Sequence, residues 1–359
     1  MRVDIVDPSA FTPPYDDALC AALAAAGADV ELVTSRFAYG EVPDSGGYTR
    51  REDFYRHAAR VSSPRLRRAA KLAEHIPDML RYRARARSAD VVHFQWLALP
   101  PVDGLLLPDR PRVITAHDIL PREGGALRRQ AQRRLYARFD AVVVHSEHGR
   151  GRLVALGVER SRIHVIPHGA LAHLGSAAPP AAGEQPVVVF AGLMRPYKGI
   201  DVLLRAWRGI DGARLIVAGM PRMDTAPLRA LAGPGVELRE RYLPDDELAA
   251  LLREAAIVVL PYREADQSGV ALTALALGRP LLLSDVGGFP ELAATGAAET
   301  VPAGDAAALH DALARLLADA PRRAAMSAAA AAAAAGNYSW SAVARATLGV
   351  YESVAGKGS

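Results

Sequence analysis

The sequence predicts an α/β chain of two doubly wound domains, and three observations carry that prediction. Short β-branched apolar runs alternate with helical patterns from the first residues, as in 3–6, 15–26 and 30–34. The same rhythm starts again at Val187. Between the two series lies ALAHLGSAAPPAAGEQP, residues 170–186, rich in Ala, Gly and Pro and without periodicity. Strand–helix alternation implies parallel sheets with crossover helices. A stretch of that composition reads as an interdomain linker.

Size and composition agree. The 359 residues suffice for two cores, and half of them are hydrophobic. The net charge of +4 is modest. A single cysteine, Cys20, allows no intramolecular disulfide and fits a reducing compartment. It sits among Ala and Leu at helical spacing, which predicts buried packing rather than a nucleophile. Asp4, Asp7, Asp16 and Asp17 interrupt the N-terminal apolar stretch, unlike a signal peptide. No apolar run reaches the length of a membrane span. A cytoplasmic location is the expectation. The tract Ala328 to Ala335 reads as a surface helix.

In order, Val3 to Val6 is a strand, 7–14 a Pro-rich loop, Tyr15 to Ala26 a helix and Val30 to Thr34 a second strand. The first loop lacks G-x-G-x-x-G, which disfavours a nicotinamide enzyme. From Arg50 to Arg87 the chain is strongly basic, with Leu66, Ala69, Ala70 and Ala73 as one apolar stripe of a helix. Three readings of that segment compete. They are a solvated face, contact with an anionic membrane surface or lipid-linked acceptor, and nucleic-acid binding. No nucleic-acid motif or aromatic interleaving supports the last. Peripheral contact at the inner membrane face is thus one expectation.

Three further strands, 90–96, 113–118 and 141–146, end in polar residues or His. Sites form at the carboxyl ends of parallel strands. His93, His117 and His145 would therefore line one sheet edge, with Asp118 beside them and His168 at the end of the next strand, 163–166. A substrate-facing edge, a metal site and separate structural histidines are the readings this pattern leaves open, the metal being the weakest.

The second series opens on VVVFAGLMRPYKGIDVLLRAW, residues 187–207. A buried strand ends at Gly192, Arg195 and Lys198 follow on a turn, and a helix begins with Asp201 as its N-cap. Cations beside a helix N-terminus suit phosphate. Strands 215–218, 236–238, 257–260 and 280–284 continue the rhythm. Ser268, Gly269 and Val270 open a helix and offer a second anion cradle, and the Gly-rich loop 285–291 lies at another strand end. Two such turns in one domain suggest a nucleoside diphosphate.

At this point the chain resembles family 4 retaining glycosyltransferases of the GT-B fold. The matching stretches are FAGLMRPYKGIDVLLRAW, ARLIVAG, YLPDDELAALLREAAIVVLPYR and QSGVALTALALGRPLLLSDVGGFPE, with ADVVHFQW, ITAHDILP, AVVVHSEHGRGRL and IHVIPHG in the first half. The resemblance implies two facing Rossmann-like domains with a cleft between them. It assigns 1–170 with the helix 340–355 to the acceptor, 171–186 to the linker and 187–339 to the nucleotide-sugar donor, with domain closure on that donor. It implies transfer of a hexose-type sugar from a nucleotide-diphosphate sugar (UDP favoured, GDP next) to an acceptor hydroxyl with retention. The acceptor would be a glycan, a lipid-linked species or a small molecule, in polysaccharide or natural-product biosynthesis. His117, Arg195, Lys198 and Asp266 would be catalytic. Gly192, Arg195, Lys198, Gly219, Tyr242, Leu243, Ser268, Gly269 and Val270 would bind the donor. His93, Asp118, His145 and His168 would stand on the acceptor side.

Two positions depart from the family pattern. Its spaced pair of Glu residues falls on Asp266 and Ala274, and its Arg after the first strand's Gly is Leu193. A catalytically degenerate nucleotide- or sugar-binding protein is the alternative these losses raise. A phosphorylase of the same fold would need pyridoxal phosphate on a Lys, and only Lys71, Lys198 and Lys357 exist. No tightly bound cofactor and no metal are expected, since no D-x-D-like pair closes a strand.

Overall fold

The computed structural model describes residues 1–37, 41–42, 44–119, 126–171, 175 and 185–356. The stretch 171–186, read as linker, lies mostly outside the described residues. The chain divides into two compact units, Met1–Pro167 together with the stretch from Trp340, and His168–Ser339.

The first unit runs β1 (Arg2–Asp7), α1 (Pro13–Ala25), β2 (Asp29–Ser35), β3 (Thr49–Phe54), α2 (Pro64–Arg85), β4 (Val91–Phe94), α3 (Pro100–Leu106), β5 (Arg112–Thr115), α4 (Ala126–Tyr136), β6 (Ala141–Val144), α5 (Glu147–Ala155) and β7 (Ile163–Val165). The second runs β8 (Val187–Ala191), α6 (Ile200–Ala206), β9 (Arg214–Ala218), α7 (Ala226–Leu231), β10 (Val236–Arg239), α8 (Asp245–Glu254), β11 (Ile257–Leu260), α9 (Gly269–Ala276), β12 (Leu281–Ser284), α10 (Phe289–Ala293), β13 (Ala298–Val301), α11 (Ala306–Ala318) and α12 (Ala320–Ala335). Then α13 (Trp340–Ala355) packs on α1 and β4, so the first unit is discontinuous in sequence.

Both sheets are parallel. Their strand orders are β3-β2-β1-β4-β5-β6-β7 and β10-β9-β8-β11-β12-β13. Residues 187–191, 257–260 and 281–284 are buried along their whole length, as strands covered on both faces by helices must be. In each sheet the winding reverses once, between β1 and β4 and between β8 and β11. The carboxyl ends of those pairs are where such sheets open a crevice. No helix among the described residues is long and apolar enough to cross a membrane.

Three local details go beyond or against the sequence reading. Residues 49–54, read only as part of a basic segment, form the edge strand β3. TRREDF has no apolar alternation, and its charges are an edge strand's protection against further pairing. Arg51, Arg56 and Arg85 converge on Asp53, and Arg51 and Arg85 also reach Glu31 at 3.3 and 3.0 Å. Much of the positive charge near β3 is thereby neutralised. Second, Leu66, Ala69 and Ala73 of α2 face outward, while His75, Asp78, Met79 and Tyr82 face the core. Third, Gly199 rather than Asp201 is the N-cap of α6. Cys20 is buried in the core, as its surroundings predicted.

His93, at the end of β4, is a core residue and does not reach an open edge. It is 1% exposed. Its Nδ1 lies 2.6 Å from the Tyr351 hydroxyl of α13 and its Nε2 2.8 Å from Thr115 Oγ1 of β5. Burial, with the neighbouring His145 second, pushes its pKa down from 6.5 to about 3. The folded state therefore binds a proton less readily than the unfolded chain. The stabilisation is complete above pH 6.5 and is lost as pH falls toward 3. From pH 7 to 4.5, His93 alone should cost the first unit about 2 kcal/mol. Thermal unfolding against pH should show this loss, and it should shrink in His93→Gln.

Candidate functional site

In the second unit the site residues gather where the winding reverses. β8 ends at Ala191, and Gly192 to Lys198 form the turn into α6. Arg195 is exposed and caps a single 3-10 turn, Pro196–Lys198. Lys198 is half-buried, with its Nζ 3.7 Å from the centroid of the Tyr262 ring. Tyr262 follows β11, is 1% exposed, and is held by Phe289 at 5.4 Å and by Ser268 Oγ at 3.2 Å from its hydroxyl. An ammonium over an aromatic face is attracted to the ring and loses freedom. The ammonium is thus fixed on the loop that carries the second cradle.

Two contacts lock these loops together. Gly199 has φ +66°, and a Cβ there would lie 1.9 Å from the Pro261 carbonyl oxygen. Only glycine permits both the left-handed backbone and that approach. Arg263 then reaches back. Its backbone N–H donates to the Tyr197 carbonyl at 2.7 Å, and its guanidinium donates to the Pro196 carbonyl at 2.8 Å and to both Asp201 oxygens at 2.9 and 2.7 Å. Burial pushes the Asp201 carboxyl up, but Arg263 and then Arg205 outweigh it and hold it below the usual carboxylate range. Neither Arg263 nor Asp201 was legible as a paired element, because they are 62 positions apart.

The neighbouring turns are equally close. A Cβ on Gly219, after β9, would meet the Gly192 carbonyl at 1.8 Å, and one on Gly192 would lie 3.6 Å from Val270. Ser268 is the N-cap of α9 and accepts from the Ala271 N–H. Gly269 is exposed and Val270 half-buried, so the first turn of α9 opens beside Gly192. Asp266 is half-buried two residues before the cap. Tyr242 is 61% exposed, whereas the Leu243 side chain belongs to the core. Ala274 is fully buried on α9, so no side chain reaches out from that position.

In the first unit the reversal between β1 and β4 gathers an aromatic and histidine group. His117 stacks on Trp96 with centroids 5.1 Å apart at 13° and meets the Tyr15 ring edge-on at 4.7 Å. Its Nδ1 lies 3.3 Å from His145 Nε2, and its Nε2 lies 3.0 Å from the Gln95 amide. His145 Nδ1 is 3.0 Å from the Ile166 carbonyl, which can only accept. His145 therefore carries its proton on Nδ1 and accepts at Nε2 from His117. Burial lowers its pKa to about 4, with the Ile166 bond opposing, so it is neutral near pH 7. His117 Nδ1 is therefore the donor toward His145, and its Nε2 faces the Gln95 amide. Asp118 is exposed next to His117. His168 bonds the Gly169 carbonyl at 2.7 Å and falls in the second unit. Among the described residues no three His, Cys, Asp or Glu side chains are grouped as a metal would need. Phe11, 62% exposed and 5.2 Å from Trp96, extends the aromatic group, and sequence reading missed it along with Tyr15, Gln95 and Trp96.

Comparison with known proteins gives the family. Residues 185–319 match glycosyl transferases group 1, and residues 17–170 match glycosyltransferase family 4. The D-inositol 3-phosphate glycosyltransferase of Mycobacterium avium is 32% identical over 294 residues, covering 73% of this chain and 69% of that protein. The chain belongs to glycosyltransferase family 4. A phosphatidyl-myo-inositol mannosyltransferase of Mycobacterium leprae is 37% identical over 208 residues, 54% of each chain. The fold is shared with sucrose-phosphate synthase of Thermosynechococcus elongatus, at TM-score 0.76 and 19% identity over 99% of this chain and 100% of that one. It is also shared with Anabaena HepE, solved in complex with UDP, at TM-score 0.74 and 17% identity over 98% of this chain and 100% of that one. The chain thus has the GT-B fold of two Rossmann-like domains that the resemblance implied.

For this glycosyltransferase the loop lock is open to direct test. Gly199→Ala should cost about 2–4 kcal/mol, since both backbone angle and Pro261 oppose it. Arg263→Ala, removing a half-exposed pair, should cost about 1 kcal/mol. Thermal unfolding of the two variants should rank them in that order.

Proposed function

We propose that the enzyme transfers a hexose-type sugar from a nucleoside-diphosphate sugar to an acceptor hydroxyl with retention of configuration. The observation that carries this reading is the pairing of Lys198 with the opening of α9 at one sheet-reversal point. A cation and a helix N-terminus meet there, on loops that cannot separate. Such a corner suits two linked phosphates. The relative solved with UDP has the same fold, and UDP is the favoured carrier, with GDP next.

In this reading the second unit holds the donor. The backbone at Ser268, Gly269 and Val270 takes one phosphate, and Lys198 and Arg195 take the other. Gly192 and Gly219 keep the approach open, and the chain around Tyr242 and Leu243 borders the nucleoside. Asp266 contacts the sugar. As the anomeric carbon–oxygen bond breaks, negative charge grows on the leaving diphosphate. Lys198 is already in place to stabilise it, with little reorganisation. The acceptor hydroxyl attacks on the face the diphosphate leaves, and the departing phosphate takes its proton.

The first unit takes the acceptor. The chain of bonds from Gln95 through His117 and His145 to Ile166 holds the His117 ring oriented, with Asp118 beside it. The aromatic faces of Trp96 and Phe11 suit a ring-shaped polyol. Relatives named for inositol phosphate and phosphatidyl-inositol acceptors make D-inositol 3-phosphate the first acceptor to try. A binding protein without turnover is the competing reading, favoured by the alanine at 274.

The test is a transfer assay with UDP- and GDP-sugars, paired with thermal unfolding against UDP, GDP, ADP and dTDP. One nucleotide at 100 times its dissociation constant should add about 2.7 kcal/mol of stability. Lys198→Ala should abolish that shift and lower kcat by about 10²–10³, or 2.7–4 kcal/mol, without unfolding the enzyme. Near wild-type turnover in Lys198→Ala contradicts the donor assignment. A nucleotide shift without transfer to any acceptor favours the binding protein.

A further inference from the structure

We propose that the outward face of α2 is a docking surface for an anionic lipid bilayer. The inward face of this helix packs Met79 and Tyr82 into the core and carries its buried polar side chains. His75 bonds the Tyr55 hydroxyl at 2.7 Å and Asp103 at 2.5 Å, and Asp78 accepts from the Tyr55 N–H at 2.7 Å. These buried bonds fix the rotation of the helix, since turning it would strand every one of them. An apolar stripe is left outside. Leu66, Leu72, Ile76 and Leu80 are 64, 59, 44 and 49% exposed, and Ala69, Ala73, Pro77 and Ala84 lie exposed among them. The stripe runs for about 27 Å at 1.5 Å per residue. Single exposed leucines need no explanation, but four of the eleven large exposed apolar side chains among the described residues stand on this one face.

The charges choose the occupant. Arg65, Arg68, Arg81, Arg83 and Arg87 are exposed along and beyond the stripe. The two acids of α2 are engaged. Asp78 is buried and pairs with Arg81, which leaves Arg65, Arg68, Arg83 and Arg87 as the cations of this face, and Glu74 accepts from the N–H groups of His57 and Ala58 at 3.1 and 2.7 Å. The outward face thus carries apolar groups and cations only. A helix with that distribution lies in the interface of an anionic bilayer, with leucines among the acyl chains and arginines at the phosphates. A second copy would bring its own arginines against these, which like charge opposes. Leu105, 66% exposed, extends the patch, because Arg83 donates to its carbonyl at 3.3 Å. The surface is distinct from the loops assigned to donor and acceptor, so it stands or falls independently of sugar transfer.

The experiment is co-sedimentation with large unilamellar vesicles of phosphatidylcholine alone or mixed with phosphatidylglycerol, over a salt series. The wild type should bind the phosphatidylglycerol vesicles, more weakly as salt rises. The triple variant Leu72→Ser, Ile76→Ser, Leu80→Ser should bind at least about tenfold more weakly. Its melting temperature should stay unchanged, because all three side chains are exposed. Ile76→Trp, placing an interfacial aromatic on the stripe, should bind more tightly. No wild-type binding, equal binding to both vesicle types, or equal binding by wild type and the variants overturns the proposal. So does a concentration-dependent wild-type dimer that the triple variant lacks, since the face would then belong to a second copy.

Discussion

The close approach of Gly199 to the Pro261 carbonyl, clamped by Arg263 on Asp201, sets the geometry of the second unit's sheet reversal. Parallel sheets leave a crevice only where their winding reverses, and here that is between β8 and β11. A crevice alone would leave two loops free to move apart. Glycine at 199 lets one loop touch the backbone of the other, and the Arg263 guanidinium bridges them on the outer side. Lys198 is then carried onto the Tyr262 ring, and Ser268, which caps α9, bonds the same tyrosine. Cation, aromatic support and helix N-terminus are one rigid corner because of a missing side chain.

The first unit solves a related problem with hydrogen bonds. Which nitrogen of a histidine carries its proton is set by the bond the other nitrogen makes. The Ile166 carbonyl decides for His145, and His145 decides for His117. Burial keeps His145 neutral, so the order does not change near pH 7. His93 sits one strand away with the same sequence signature, yet its nitrogens serve the Tyr351 and Thr115 hydroxyls and tie the C-terminal helix to the sheet.

That contrast marks what sequence could and could not reveal. Strands such as 187–191 and 257–260 were legible because burial on both faces writes a continuous apolar run. Lys198 and Ser268 were legible because a strand-end turn before a helix has its own pattern. The distinction between His93 and His117 was not, since it depends on partners 22 to 258 positions away. Arg263 and Gln95 act through similarly distant contacts. β3 was hidden because an edge strand made of charges has no period-two pattern. The orientation of α2 was hidden for a different reason. It is set by His75 and Asp78, whose partners lie on other elements, together with the buried Met79 and Tyr82.

The central claim is that the β8–β11 reversal of this family 4 glycosyltransferase is a nucleoside diphosphate site. Amide hydrogen exchange with and without saturating UDP or GDP tests it most directly. Binding at that corner should slow exchange at 195–199 and 266–271 and leave the outer strands β10 and β13 unchanged. Protection confined to other segments, with these two loops unaffected by a nucleotide that binds, would contradict it.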